Sequence, residues 1–132
     1  MILVDTNVLV DIMTDDPEWR EWSLFSVQSA AAAGALHINA VIYAELAAAY
    51  RSTAELDSFL KPAKIALSEL SKEAAFLAGH VFLHYRKKRG AKTGVLPDFF
   101  IGAQAQTEGW KILTRDAGRY KTYFPRVELI CP

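Results

Sequence analysis

Short apolar runs that stop on polar residues recur along the chain, separated by longer stretches with helical spacing. Ile2-Leu3-Val4 stops on Asp5, and Thr6 or Asn7 can cap a short helix from Val8 to about Met13. Thr14-Asp15-Asp16-Pro17 is a second start signal, for a helix from Pro17 to about Ala33 that Gly34 ends. Ala35 to Asn39 predicts a short strand. Helices follow over Ala40 to Arg51 and Thr53 to about Leu60, the second stopped near Pro62. Lys64 to Leu67 alternates like a strand. Ser71 caps a long helix to about Lys88, with Phe76, Leu77, His80, Val81 and His84 on one face. Gly90 to Gly94 is a loop. Pro97 opens a helix to about Glu108, closed by Gly109. Trp110 to Thr114 and Val127 to Ile130 are the last strands.

Strands alternating with helices imply an α/β fold, with a mostly parallel central sheet flanked by helices on both faces. No repeat or linker divides the chain, so residues 1–132 form one expected domain. The composition is that of an ordinary globular protein, 52% hydrophobic and 23% charged. Lys plus Arg equals Asp plus Glu, 15 of each, so a nucleic-acid partner would need a local basic patch. The single cysteine, Cys131, excludes an intrachain disulfide and a cysteine-based metal site, and fits a reducing compartment. Asp5 and the lack of a basic leader argue against a signal peptide. His37, Asn39 and Glu45 interrupt the most apolar stretch, so no membrane helix is expected.

Four acids stand where a plain fold would place something else. Asp5 and Asp116 each follow a buried strand, at the sheet edge where open α/β proteins place functional charge. Glu45 lies beside Leu46 within the Ile42, Leu46, Ala49 stripe. Asp98 follows Pro97 at a helix start, before the apolar run Phe99-Phe100-Ile101. Taken singly, each has a plain explanation. Glu45 suits a core boundary, Asp98 a helix dipole, and Asp116 a turn.

Should they converge, two carboxylates about 5 Å apart repel by about 3 kcal/mol at an effective dielectric of 20. A cation or raised pKa values must then relieve the cluster. An all-oxygen donor set favours Mg²⁺ or Mn²⁺, which can bind a phosphodiester oxygen and generate hydroxide from bound water. Asn7 and Thr114 are the natural hydrogen-bond partners behind such acids.

Arg86, Lys87, Lys88, Arg89 and Lys92 form a basic stretch just before Asp98. It suits a solvated helix end or, together with Arg115, contacts to a phosphate backbone. Tyr85, Tyr120 and Tyr123 are core aromatics or base-stacking platforms. His80 and His84 lie on the apolar face of the long helix, which points to packing or a partner interface rather than to a metal.

In order and spacing, Ile2 to Asn7, Ile42-Tyr43-Ala44-Glu45-Leu46, Pro97 to Ala103 and Leu113-Thr114-Arg115-Asp116 resemble the PIN-domain nucleases. Within them the chain looks like a VapC-type toxin of a toxin–antitoxin pair. The resemblance implies a PIN-like three-layer α/β/α fold and a Mg²⁺- or Mn²⁺-dependent endoribonuclease. The acids matching Asp5, Glu45, Asp98 and Asp116 would surround the metal, the last of variable role. It also implies a prokaryotic cytoplasmic homodimer, an RNA substrate, and an antitoxin whose segment occludes the active-site groove.

Two rivals stay open. A haloacid-dehalogenase-like phosphotransferase would use Asp5 as nucleophile, but wants a second Asp where Asn7 stands. A non-catalytic receiver-like module would want its acceptor Asp on a middle strand and a Lys after a late strand, where Arg115-Asp116 stands, and the full set of acids argues against a PIN fold kept only as a scaffold.

Overall fold

The computed structural model describes residues 1–89 and 95–132, the side chain of Arg89 excepted. The Gly90 to Gly94 loop, with Lys92, lies outside the described residues. The elements run β1 (Ile2–Val4), α1 (Thr6–Met13), α2 (Arg20–Ala33), β2 (Leu36–Ile38), α3 (Ala40–Ala47), α4 (Thr53–Leu60), a 3-10 turn, β3 (Ala66–Leu67), α5 (Lys72–Arg89), α6 (Leu96–Glu108), β4 (Lys111–Leu113), α7 (Gly118–Tyr123) and β5 (Leu129–Ile130).

The strand order is β3-β2-β1-β4-β5, and every described pairing is parallel. β1 is central, paired with β2 on one side and β4 on the other. Leu3 and Val4 are fully buried, as are Ile38, Ile112 and Leu113. Unbroken apolar runs suit strands covered on both faces. The chain proceeds outward from β1 through β2 to β3, then returns to the other side of β1. The direction of winding therefore reverses between β1 and β4. In open parallel sheets, the crevice beyond the carboxyl ends at such a reversal is where ligands bind.

Helix ends differ from the expected ones for local reasons. α2 begins at Arg20 instead of Pro17, because Asp16 Oδ1 accepts from the Glu18 and Trp19 N–H groups and holds a turn there. α3 stops at Ala47, three residues before Tyr50 packs against Phe59 of α4. α7 was not expected at all, although Tyr120, Tyr123 and Phe124 have helical spacing.

On α5 the face assignment is corrected. Ala74, Ala78 and Tyr85 are buried, whereas Phe76, His80 and His84 are exposed, Phe76 at 69%. The small Ala side chains let α5 lie close along α6, so the larger aromatic and His positions turn outward. Core packing is therefore excluded for both histidines. α6 closes at Gly109, whose φ of 72° is left-handed and costs glycine nothing.

Candidate active site

Asp5 leaves β1 directly into α1, with its backbone N–H donating to the Leu113 carbonyl of β4 at 2.9 Å. That bond prolongs the sheet by one residue and fixes the side chain beyond the strand end. The carboxylate is only 4% exposed. Its Oδ2 accepts from Thr114 Oγ1 at 2.8 Å, Tyr120 OH at 2.9 Å and Asn7 Nδ2 at 3.3 Å. Three donors on one oxygen fix the carboxylate plane.

Burial pushes the Asp5 carboxyl up to about 6, and the charge of Asp98 adds to the rise. The bonds from Thr114, Tyr120 and the Thr6 backbone hold it down. Tyr120 is itself 1% exposed, and burial raises its phenol well above the ordinary value, with Asp5, Asp98 and Glu45 adding to the effect. The phenol therefore stays protonated and serves as a donor.

Asn7 and Thr114 brace this corner. Asn7 Nδ2 also donates to Thr114 Oγ1 at 3.2 Å, and Asn7 Oδ1 accepts from the Arg115 N–H at 3.3 Å. Thr114 Oγ1 accepts from the Asp116 N–H at 3.1 Å. One polar chain thus joins Asp5, Asn7 and Thr114 to the loop that carries Asp116.

Asp98 stands in the first turn of α6, one-third exposed, and accepts from Arg119 Nη1 at 2.6 Å. Burial raises its pKa, Arg119 opposes the rise, and the charge of Asp116 reinforces it. Glu45 is exposed on α3 and accepts from Thr6 Oγ1 at 2.7 Å. Asp116 is exposed on its loop. The charge of Asp98 thus reaches Asp5, that of Asp116 reaches Asp98, and that of Glu45 reaches Tyr120. Among the described residues, however, no three Asp, Glu, His or Cys side chains lie close enough to hold one metal ion as placed. Arg119 takes an oxygen of Asp98, and Thr6 takes Glu45 Oε1.

The donor chemistry nevertheless fits a hard divalent cation. It consists of carboxylate oxygens alone, and two of the acids, Asp5 and Asp98, have pKa values raised by burial and, less strongly, by a neighbouring carboxylate.

Of the basic residues, Arg86, Lys87 and Lys88 are exposed at the end of α5. Arg115 turns elsewhere. Its Nε and Nη2 donate to Asp11 Oδ2 and Oδ1 at 2.7 and 3.1 Å, with its guanidinium carbon 5.6 Å from the Trp19 ring centre. Asp11 is 1% exposed and also accepts from Ser23 Oγ at 2.8 Å.

Sequence reasoning missed Asp11, Arg119 and the role of Tyr120. Asp11 could have been found, because it lies three residues after Val8 on the buried face of α1. Tyr85 and Tyr120 are buried, so neither offers a face to a base.

The PIN domain family model matches residues 2–125. The chain belongs to the PIN domain family. Compared with curated proteins by sequence, the chain matches none. Among solved structures, this PIN domain is similar to VapBC2 from Rickettsia felis bound to a promoter DNA fragment, with TM-score 0.72 and 20% identity, covering 99% of this chain and 98% of that one. FitAcB from Neisseria gonorrhoeae gives TM-score 0.66 and 22% identity over 98% and 96% of the two chains. VapBC-1 from nontypeable Haemophilus influenzae gives 0.70 and 16% over 99% and 98%. At these identities the likeness is one of fold. It agrees with the three-layer α/β/α arrangement expected from sequence.

Proposed function

We propose that this PIN domain is a divalent-metal-dependent endoribonuclease, acting in the prokaryotic cytoplasm as the toxin of a toxin–antitoxin pair. One observation carries the nuclease reading. A buried carboxylate, Asp5, is held by three donors at the winding reversal of a PIN-type sheet, with Asp98 close enough to raise its pKa. The toxin assignment is supported by the structural neighbours, which come from VapBC and FitAB assemblies.

Asp5 and Asp98 would hold the cation, Mg²⁺ or Mn²⁺, with Glu45 and Asp116 completing the acidic wall. When bound, such an ion lowers the pKa of water and neutralises charge on a phosphodiester oxygen. The chain's own residues do the rest. Thr114, Tyr120 and Asn7 occupy Oδ2 of Asp5 and so orient its other oxygen. The protonated phenol of Tyr120 stabilises the Asp5 anion without adding charge. Arg86, Lys87 and Lys88 offer positive charge to an RNA backbone, whereas Arg115 is committed to Asp11. An antitoxin segment would block the same acidic groove, and the active form is a homodimer.

The test is cleavage of total RNA by the purified chain with Mg²⁺ or Mn²⁺, set against EDTA and against Asp5→Ala and Asp98→Asn. Metal-dependent cleavage that both variants abolish is expected, with both still folded by circular dichroism. If both variants cleave like the unaltered chain, the site assignment is wrong. A phosphoaspartate trapped on Asp5 would instead indicate phosphotransferase chemistry.

A further inference from the structure

Arg115 and Arg119 are four residues apart and both bind aspartate, but in different ways. Arg115 uses two nitrogens against two oxygens of an acid that is 1% exposed. That is a closed structural pair. Arg119 makes one hydrogen bond, through Nη1, to an acid that is one-third exposed. A guanidinium has five N–H donors, and among the described residues Arg119 spends one of them, with its side chain 25% exposed.

The base of the side chain is firmly held. Tyr120, the next residue, is locked into the core and bonded to Asp5. The guanidinium carbon of Arg119 lies 5.9 Å from the buried Tyr85 ring centre, which gives the guanidinium a fixed wall. Among the described residues, Arg119 is the cation that hydrogen-bonds an acid of the site. For a phosphodiester approaching Asp98, this guanidinium offsets the repulsion of the carboxylate. A planar guanidinium matches two phosphate oxygens better than any other side chain.

The geometry points to Arg119 as a catalytic residue that contacts the scissile phosphate. Its guanidinium pairs with Asp98 in the resting chain and transfers to a non-bridging phosphate oxygen once a divalent cation takes that carboxylate. This rests on the nuclease reading above. The exchange needs only a side-chain rotation, because the backbone of α7 is pinned through Tyr120. Arg119 then stabilises charge on the phosphate during hydrolysis.

The experiment compares the full chain with Arg119→Ala and Arg119→Lys in three measurements: Mn²⁺ affinity by calorimetry without nucleic acid, binding of a single-stranded DNA oligonucleotide with Mn²⁺ present, and RNA cleavage. Arg119→Ala should bind Mn²⁺ as tightly as the unaltered chain or more tightly, since a competing cation is gone. It should bind the oligonucleotide about tenfold more weakly and lose about 100-fold in kcat, the scale of removing one preorganised donor. Arg119→Lys should recover part of both losses.

Mn²⁺ binding weakened more than threefold would make Arg119 a support for Asp98 and overturn the proposal. So would a kcat within threefold of the unaltered chain. If Arg119→Ala fails to fold, Arg119→Lys and Arg119→Gln carry the same comparison. If the unaltered chain cleaves no RNA, the nuclease reading falls, and the Mn²⁺ and oligonucleotide measurements still judge Arg119.

Discussion

Arg115 reaches across 104 residues of sequence to grip the buried carboxylate of Asp11 with two hydrogen bonds, tying the loop after β4 to the α1–α2 hairpin. Because Arg115 lies between Thr114 and Asp116, this pair also fixes the direction in which the loop leaves the sheet.

Removing either partner should destabilise the chain, but unequally. Arg115→Met strands an anion that is 1% exposed, with Ser23 alone left to bond it among the described residues. Breaking a buried pair in this way costs about 3–5 kcal/mol. Asp11→Asn leaves a guanidinium whose side chain is 30% exposed and so keeps access to water. Its cost should be about 1–2 kcal/mol, near that of losing charge-assisted hydrogen bonds. Urea melts of both variants and of the double variant check the order. If Arg115→Met is the milder of the two, the pair is not a desolvated clamp.

The raised pKa of Asp5 makes stability depend on pH in a definite sense. Between about 4 and about 6 the folded chain keeps a proton on Asp5 that the unfolded chain has released. This contribution favours folding below that window and is lost as pH rises through it, by up to about 3 kcal/mol. Asp5→Asn carries no such loss, so in EDTA it should gain stability over the unaltered chain as pH goes from 4 to 7. Tyr120→Phe removes a bond that holds the Asp5 pKa down, so its loss should extend to higher pH. Denaturant melts at several pH values decide both points. A flat difference between the unaltered chain and Asp5→Asn would show that Asp5 is ordinary.

Gly102 on α6 faces the ring of Phe124, and a β-carbon added there would lie 2.2 Å from Phe124 Cδ2. Alanine gains about 1 kcal/mol over glycine in a helix interior. Overpacking a tight site costs about 1–3 kcal/mol, and more where the neighbour is immobile. Phe124 is 1% exposed and also packs on Phe99, so the cost should win. Gly102→Ala is expected to lower the melting temperature. The double variant with Phe124→Leu should lose less than the sum of the two single changes. Additive losses would mean that the ring moves aside freely.

The sequence made some of this legible for identifiable reasons. Ile2-Leu3-Val4 is apolar on consecutive positions and then stops on an acid, which is how a strand covered on both faces must read. Pro97 and Gly109 punctuate α6 at both ends, so the place of Asp98 could be inferred. α7 has only six residues, too short for periodicity to dominate its turn-like flanks. Arg115 and Arg119 are the same residue type on one short segment, and nothing local distinguishes them. Their partners lie 104 and 21 residues away, and only the folded sheet decides which guanidinium meets Asp11 and which meets Asp98.

The central place of β1 has a consequence for the order of synthesis. β1 is made before both strands that flank it, β2 and β4, and β4 begins only at Lys111. Asp5 finds two of its three side-chain donors 109 and 115 residues later, at Thr114 and Tyr120. Such distant pairings form late, after most of the loop entropy has been spent. The acids therefore remain scattered on the nascent chain until α7 has emerged. The site is assembled only after Thr114 and Tyr120 have been made, and a product cut short before Thr114 would carry Asp5, Glu45 and Asp98 without the framework that joins them.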